Sequence, residues 1–199
     1  MDEITIRRAR NGDPQAFEAL ATPCERMVWS VCWKMMQQRE DAEDAAQETM
    51  LKAYQSIASW RGDASFSTWI YHIAITTCMD ALRKRKVRAS SSLDHLKDEG
   101  FDPPSGQMQP SEEVEKKAEK EQLQQALDSL DPDQRTALTL YAMEGKDYET
   151  ISRLMDVSPG TVKSRIHRAR KKILSELGPF RELSSSSRVS HSRKGDADE

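Results

Sequence analysis

Glycine and proline are scarce, eight of each in 199 residues, and they fall between stretches of regular apolar spacing. A chain so short of backbone breakers is expected to be mainly helical. Cysteine is nearly absent: Cys24, Cys32 and Cys78 form no C-x-x-C pair and have no histidine at metal-ligand spacing, which argues against a zinc site. If Cys24 and Cys32 share a helix, the rise of ~1.5 Å per residue sets them about 12 Å apart. That exceeds the roughly 7 Å Cα limit for a disulfide, so the thiols read as those of a reducing compartment. Long apolar runs are missing too. None approaches the roughly 20 residues of a membrane span, and the opening MDEITIRRARNGD has no signal-peptide core. The expectation is a cytoplasmic protein with no membrane insertion, no metal and no cofactor.

Hydrophobic residues make up 37% and charged residues 32%, a balance that allows small helical cores but leaves much of the length solvated. The length suits two domains of about 100 residues each. The net charge of −3, from Lys+Arg 30 against Asp+Glu 33, hides a sorting into blocks. RKRKVR at 83–88 is almost wholly basic, whereas REDAEDAAQE at 39–48 and the interval 94–121 are acidic. Local fields of this kind suit nucleic acid at one place and protein at another.

Periodicity divides the chain. Asp13-Pro14 opens a helix whose stripe of Phe17, Leu20, Cys24, Met27, Val31 and Met35 runs to about residue 38. A second helix over about 39–59 buries Ala42, Ala46, Met50, Tyr54 and Ile57, with acids gathered at the positive end of its dipole. After the loop Trp60-Arg61-Gly62-Asp63, Ser65 or Ser67 caps a third helix to about Arg88. The expected fold is therefore all-α, with two small helical domains: a bundle over 1–88, a flexible polar linker over 89–109, and a helix-turn-helix domain over 110–178. A Ser-rich tail over 179–199 is expected to be disordered.

Residues 147–173, DYETISRLMDVSPGTVKSRIHRARKKI, carry the clearest functional signal. Ile151 and Leu154 face inward from a first short helix; Val162, Ile166, Ala169 and Ile173 do so from a second, capped by Ser158 with Pro159 at its first position. The opposite face bears Lys163, Arg165, Arg168, Arg170 and Lys171, side chains suited to phosphates and guanine edges. In the bundle, Trp60, Arg61, Phe66, Trp69, Tyr71 and His72 lie close in sequence to the basic run Arg83, Lys84, Arg85, Lys86 and Arg88. Aromatic and basic groups together suit unstacked bases, since one base stacked on a ring is worth about 1–3 kcal/mol. Core packing accounts for Trp69 equally well.

The chain resembles an extracytoplasmic-function (ECF) sigma factor of the sigma-70 family. DAEDAAQETMLKAYQSIASWRGDASFSTWIYHIAITTCMDALRKRK is similar to sigma region 2, and LDPDQRTALTLYAMEGKDYETISRLMDVSPGTVKSRIHRARKKILSEL to region 4. The resemblance implies a transcription initiation factor that is not itself an enzyme. It implies that Asp41, Glu43, Asp44, Gln47 and Glu48 face the clamp helices of the RNA polymerase largest subunit. Residues 60–67, including Trp60, Arg61, Phe66 and Ser67, would receive a flipped base of the minus-ten element, with Trp69 and Tyr71 supporting the melted strand and Arg83, Lys84, Arg85 and Lys86 holding its backbone. Lys163, Ser164, Arg165, His167, Arg168 and Lys171 would lie at the minus-thirty-five major groove, and residues 130–145 at the flap of the second-largest subunit. An anti-sigma factor is the further partner implied. Two positions depart from the family pattern: Thr76 stands where asparagine is frequent and His167 where an aromatic is. The bases read there need not be those read by relatives.

A helix-turn-helix regulator acting alone on duplex DNA is the competing reading. An enzyme using Asp41, Glu43, Asp44 and Glu48 as metal ligands is a third, disfavoured by the lack of a converging His or Lys and of a phosphate loop. The linker acids Asp94, Asp98, Glu99 and Asp102 oppose a DNA-binding tether. About 20 linker residues at roughly 3.4 Å span near 70 Å at most, enough for two modules to grip separate DNA elements.

Overall fold

A computed structural model describes residues 3–93 and 112–191, with side chains over 3–88 and 121–177. All regular structure among the described residues is helical: α1 (Glu3–Arg10), α2 (Pro14–Ala21), α3 (Glu25–Met36), α4 (Arg39–Ser56), α5 (Phe66–Leu93), α6 (Glu112–Ser129), α7 (Pro132–Ala142), α8 (Tyr148–Met155) and α9 (Pro159–His191).

The helix expected over about 14–38 is two. Pro23 lacks an N–H and cannot continue an α-helical ladder, so residues Thr22–Cys24 form a tight 3-10 turn and α3 starts afresh at Glu25. Asp13 caps α2 as its sequence predicts, taking the N–H groups of Gln15 and Ala16 at 3.0 and 3.2 Å. Those bonds, and the Arg8 guanidinium beside them, hold the Asp13 carboxyl below its ordinary range. At the other end Gln37 takes a left-handed φ of 62° and its N–H closes on Trp33 O at 2.9 Å. α1 was not expected; it packs on α2 and buries Ala9 completely.

α3, α4 and α5 build the first core. Ala42 and Ile57 are buried as expected, but between them the α4 stripe sits one position round: Ala45, Thr49 and Ala53 are buried, while Tyr54 is exposed and Met50 half-buried. Small residues let α4 approach Val31, Cys32 and Met35 of α3 and Ile70, Ala74 and Cys78 of α5, so size complementarity overrode apolar bulk. The Sγ atoms of Cys32 and Cys78 lie 3.6 Å apart there, a meeting of helices that spacing along the chain does not reveal.

α5 runs on to Leu93, so residues 89–93 of the expected linker are helical. No glycine or proline stands between Ser65 and Gly100 to end it. The linker acids from Asp94 onward lie outside the described residues. The disordered tail is likewise corrected over 179–191, where α9 continues through Gly178 and Pro179. Pro179 has no N–H and forgoes its own ladder bond, but each residue after it extends an existing helix without the cost of a new nucleus. Residues 192–199 lie outside the described residues.

The second core joins α7, α8 and α9 through Leu140, Ile151, Leu154, Val162, Ile166 and Ala169. Asp131 and Asp147 cap α7 and α8, accepting from Asp133 N at 3.1 Å and Thr150 N at 2.7 Å. Ser158 Oγ accepts Thr161 N at 3.2 Å at the start of α9. The two cores are packed together, α7 lying against α3 and α5.

Candidate nucleic-acid and polymerase interfaces

α8, a left-handed Asp156 (φ 51°) and α9 form the helix-turn-helix. With Val162, Ile166 and Ala169 inward, the helical period turns Lys163, His167, Arg168 and Lys171 to solvent. These four present an open basic face beside the positive end of the α9 dipole. Ser164 spends its hydroxyl on Thr161 O at 2.8 Å, and Arg165 is half-buried with its guanidinium on Asp133 at 2.6 Å. Arg170 lies over the Tyr141 ring at 4.9 Å, so packing claims it. Asp133 as holder of Arg165 was not anticipated; it lies 32 residues away in sequence with no local signal.

The loop before α5 separates into anchors and rim. Trp60 is 7% exposed: its indole N–H donates to Ala64 O at 3.1 Å, and Arg10 lies over its ring and donates to its carbonyl. Phe66 is 1% exposed, with ring centroids of Trp60, Trp69 and Phe17 at 5.5, 5.6 and 6.3 Å. Neither is free to stack a base. The expectation that Trp60 and Phe66 touch DNA gives way to a supporting role, because both rings fill the core beneath the loop. The rim is Arg61, Gly62, Asp63, Ala64 and Ser65, all exposed, with Gly62 at φ 85°, where only glycine sits without strain. Ser65 Oγ caps α5 at Thr68 N, 3.1 Å, and meets Ser67 Oγ at 2.9 Å. Trp69 is half-buried against Trp60. The supporting Arg10 comes from α1, whose basic RRAR run was the only sequence signal for it.

Further along α5, Tyr71 is buried: its hydroxyl donates to Glu144 at 3.2 Å and Lys146 covers its ring at 5.2 Å. Burial, then the Glu144 charge, pushes its hydroxyl well above the usual phenol range. Thr76 turns its hydroxyl back to His72 O and Ile73 O, at 3.1 and 3.0 Å. Lys84 is exposed. Arg83 reaches Asp133 at 2.8 Å, Lys86 reaches Asp131 at 3.0 Å, and Arg85 bridges Asp41 at 3.1 Å and Asp128.

On α4, Asp44 and Glu48 lie exposed along a groove shared with α5, and Gln47 is exposed on the same helix. Asp41 is engaged by Arg85, Glu43 by Arg39 at 2.8 Å, and Glu48 more loosely by Lys52 at 3.5 Å. No described helix is long and apolar enough to cross a membrane.

An acidic helix, an aromatic and basic segment and a separate helix-turn-helix define a sigma-70 type of transcription factor. The Sigma-70 region 2 family model matches residues 20–88 and the Sigma-70, region 4 model residues 120–173. The RNA polymerase sigma-H factor of Pseudomonas aeruginosa is 34% identical over 183 residues, covering 90% of this chain and 95% of that one. The ECF RNA polymerase sigma-E factor of Escherichia coli K12 is 34% identical over 184 residues with the same coverage. The chain belongs to the ECF sigma factors of the sigma-70 family. The fold is shared with solved structures: the sigma factor RpoE in complex with the anti-sigma factor NepR from Bartonella quintana has a TM-score of 0.54 at 23% identity, covering 81% of this chain and 96% of that one. CnrH in complex with the cytosolic domain of CnrY also has a TM-score of 0.54, at 21% identity, covering 89% and 97%.

Proposed function

We propose that this chain brings core RNA polymerase to its promoters, with α9 reading the minus-thirty-five duplex and the loop and end of α5 receiving the melted minus-ten strand. The observation that carries this is the pairing, in one chain, of an exposed Lys163/His167/Arg168/Lys171 face with an exposed Arg61–Ser65 rim above a packed aromatic floor. Lys163 and Arg168 supply phosphate and base-edge contacts, with His167 and Lys171 beside them; Arg165 works from an orientation held by Asp133. Arg61, Ser67 and Trp69 line the base-receiving rim, Thr76 lies on the same helix, and Arg83, Lys84, Arg85 and Lys86 hold the strand backbone.

Asp44, Gln47 and Glu48 are the polymerase-facing groups open to solvent, joined by Asp41 and Glu43 when their partners release them. They face the clamp helices of the largest subunit, and α7 with the loop to Gly145 meets the flap of the second-largest. The residues 1–88 and 110–178 act as the two functional modules. RNA synthesis belongs to the polymerase; this chain acts in the cytoplasm without catalysis or cofactor. An anti-sigma partner is part of the reading, supported by the complex of RpoE with the anti-sigma factor NepR.

The test is run-off transcription with core polymerase on genomic fragments, with and without this chain. New start sites only in its presence are expected. Tight duplex binding without polymerase and no new start sites would favour a stand-alone regulator instead.

A further inference from the structure

The basic end of α5 finishes on carboxylates of the other module. Arg83 meets Asp133, Lys86 meets Asp131 and Arg85 meets Asp128, three acids that share the corner between α6 and α7. Asp133 takes Arg165 from the recognition helix at the same time, so one carboxylate bridges a guanidinium from each DNA-facing surface. Farther along the same contact Glu144 accepts from Lys34 at 2.6 Å and from Tyr71 at 3.2 Å.

Arg135 anchors the contact. It is 2% exposed, and from α7 it donates to Met35 O at 3.1 Å and Met36 O at 3.0 Å, with its remaining amino group on Asp128. Carbonyls at a helix end have no partner within the helix. Gln37 serves Trp33 O and Lys34 O, at 2.9 and 2.7 Å, so α3 is completed by a side chain from the other module. A cation there also suits the negative end of the α3 dipole. The flanking ion pairs are partly exposed, individually weak and screened by salt. They give the contact its charge pattern, while Arg135 gives it a fixed register.

We propose that the acidic α6–α7 corner, anchored by Arg135, is a docking surface for the basic end of α5. It stands in for nucleic-acid phosphates and holds the free chain closed with Arg83, Arg85 and Lys86 of its minus-ten surface engaged, while the Arg61–Ser65 rim stays open. The proposal rests on the reading that the end of α5 meets DNA. Opening exchanges these carboxylates for phosphates, freeing Arg83, Lys86 and Tyr71 from the facing module.

The test uses the full chain. Arg135→Met removes a positive charge, so charge alone predicts weaker DNA binding; unmasking predicts the opposite sign. Small-angle scattering is expected to show a larger radius of gyration. Fluorescence anisotropy with a generic single-stranded oligonucleotide is expected to show affinity rising about tenfold, with a salt slope steeper by about two, one for each of Arg83 and Lys86. Asp128→Asn with Asp131→Asn keeps the α7 cap and guards against a folding defect in the first variant. It should gain more affinity than Glu149→Gln with Asp156→Asn, which removes the same charge from exposed positions around α8. An unchanged radius, or weaker binding by Arg135→Met together with equal gains by the two acid pairs, overturns the docking surface. Adding Arg83→Ala and Lys86→Ala to the opened chain should erase the gain. If the chain opens and these substitutions change nothing, the role of α5 in DNA binding is what fails, and the docking surface stands.

Discussion

Replacing Phe66 by alanine separates two roles for this ring, a base-stacking platform or the floor of the loop. The ring is 1% exposed and makes edge-on or tilted contacts with Phe17, Trp60 and Trp69. Truncating a buried phenylalanine costs about 3–5 kcal/mol, because the neighbouring rings cannot close the space. For a module of this size that lowers the melting temperature on the order of 20 °C. All four tryptophans, Trp29, Trp33, Trp60 and Trp69, lie in the N-terminal module, so intrinsic fluorescence follows its unfolding separately from the helix-turn-helix. Phe66→Leu keeps most of the volume and should retain most of the stability, with promoter opening preserved at low temperature. The reasoning is refuted if Phe66→Ala leaves the fluorescence melt within about 3 °C of the parent while abolishing capture of a minus-ten strand. That result would put the ring on the DNA.

Arg168→Ala should lose about 1–3 kcal/mol of minus-thirty-five affinity, read by duplex binding, while co-elution with core polymerase is unchanged. Asp44→Lys with Glu48→Lys should do the reverse, abolishing co-elution and sparing duplex binding. The Asp147 carboxyl is held below its ordinary range, chiefly by the Thr150 backbone N–H. A depressed carboxyl stabilises the fold above its unfolded pKa of about 4, and the contribution disappears as pH falls through the folded value. Asp147→Asn keeps a capping oxygen without titrating, so its urea midpoint should fall less steeply than the parent's between about pH 5 and pH 3. An equally steep fall would remove this cap from the acid response.

Much of the helix-turn-helix was readable because its determinants are local. Ser158, Pro159 and the Val162-Ile166-Ala169 spacing specify a capped amphipathic helix within a few turns, and an inward face dictates an outward one. The α4 stripe is legible at Ala42 and Ile57 but not between them, for the opposite reason. Alanine and threonine look indifferent in a sequence, yet they are what lets three helices meet at Ala42, Ala45, Thr49 and Ala53. The aromatic segment was legible as a cluster but not as a geometry. Proximity in sequence cannot separate Phe66 and Trp60, which fill the floor, from the exposed rim above them.

The sequence by itself determined a mainly helical chain, the exposed basic side of α9, the acid cluster of α4 and the caps Asp13 and Ser158, since these follow from short-range periodicity and backbone hydrogen bonding. Only the tertiary structure decided which charges are free. Arg83, Lys86 and Arg165 look alike in sequence to Lys84, Lys163 and Arg168, but the first three end on carboxylates and the others in water. Arg135, unremarkable within its helix, caps the end of α3 about 100 residues earlier in the chain. Ion pairing depends on separations of a few ångströms between groups far apart in the chain, and nothing short of the packed helices sets those separations.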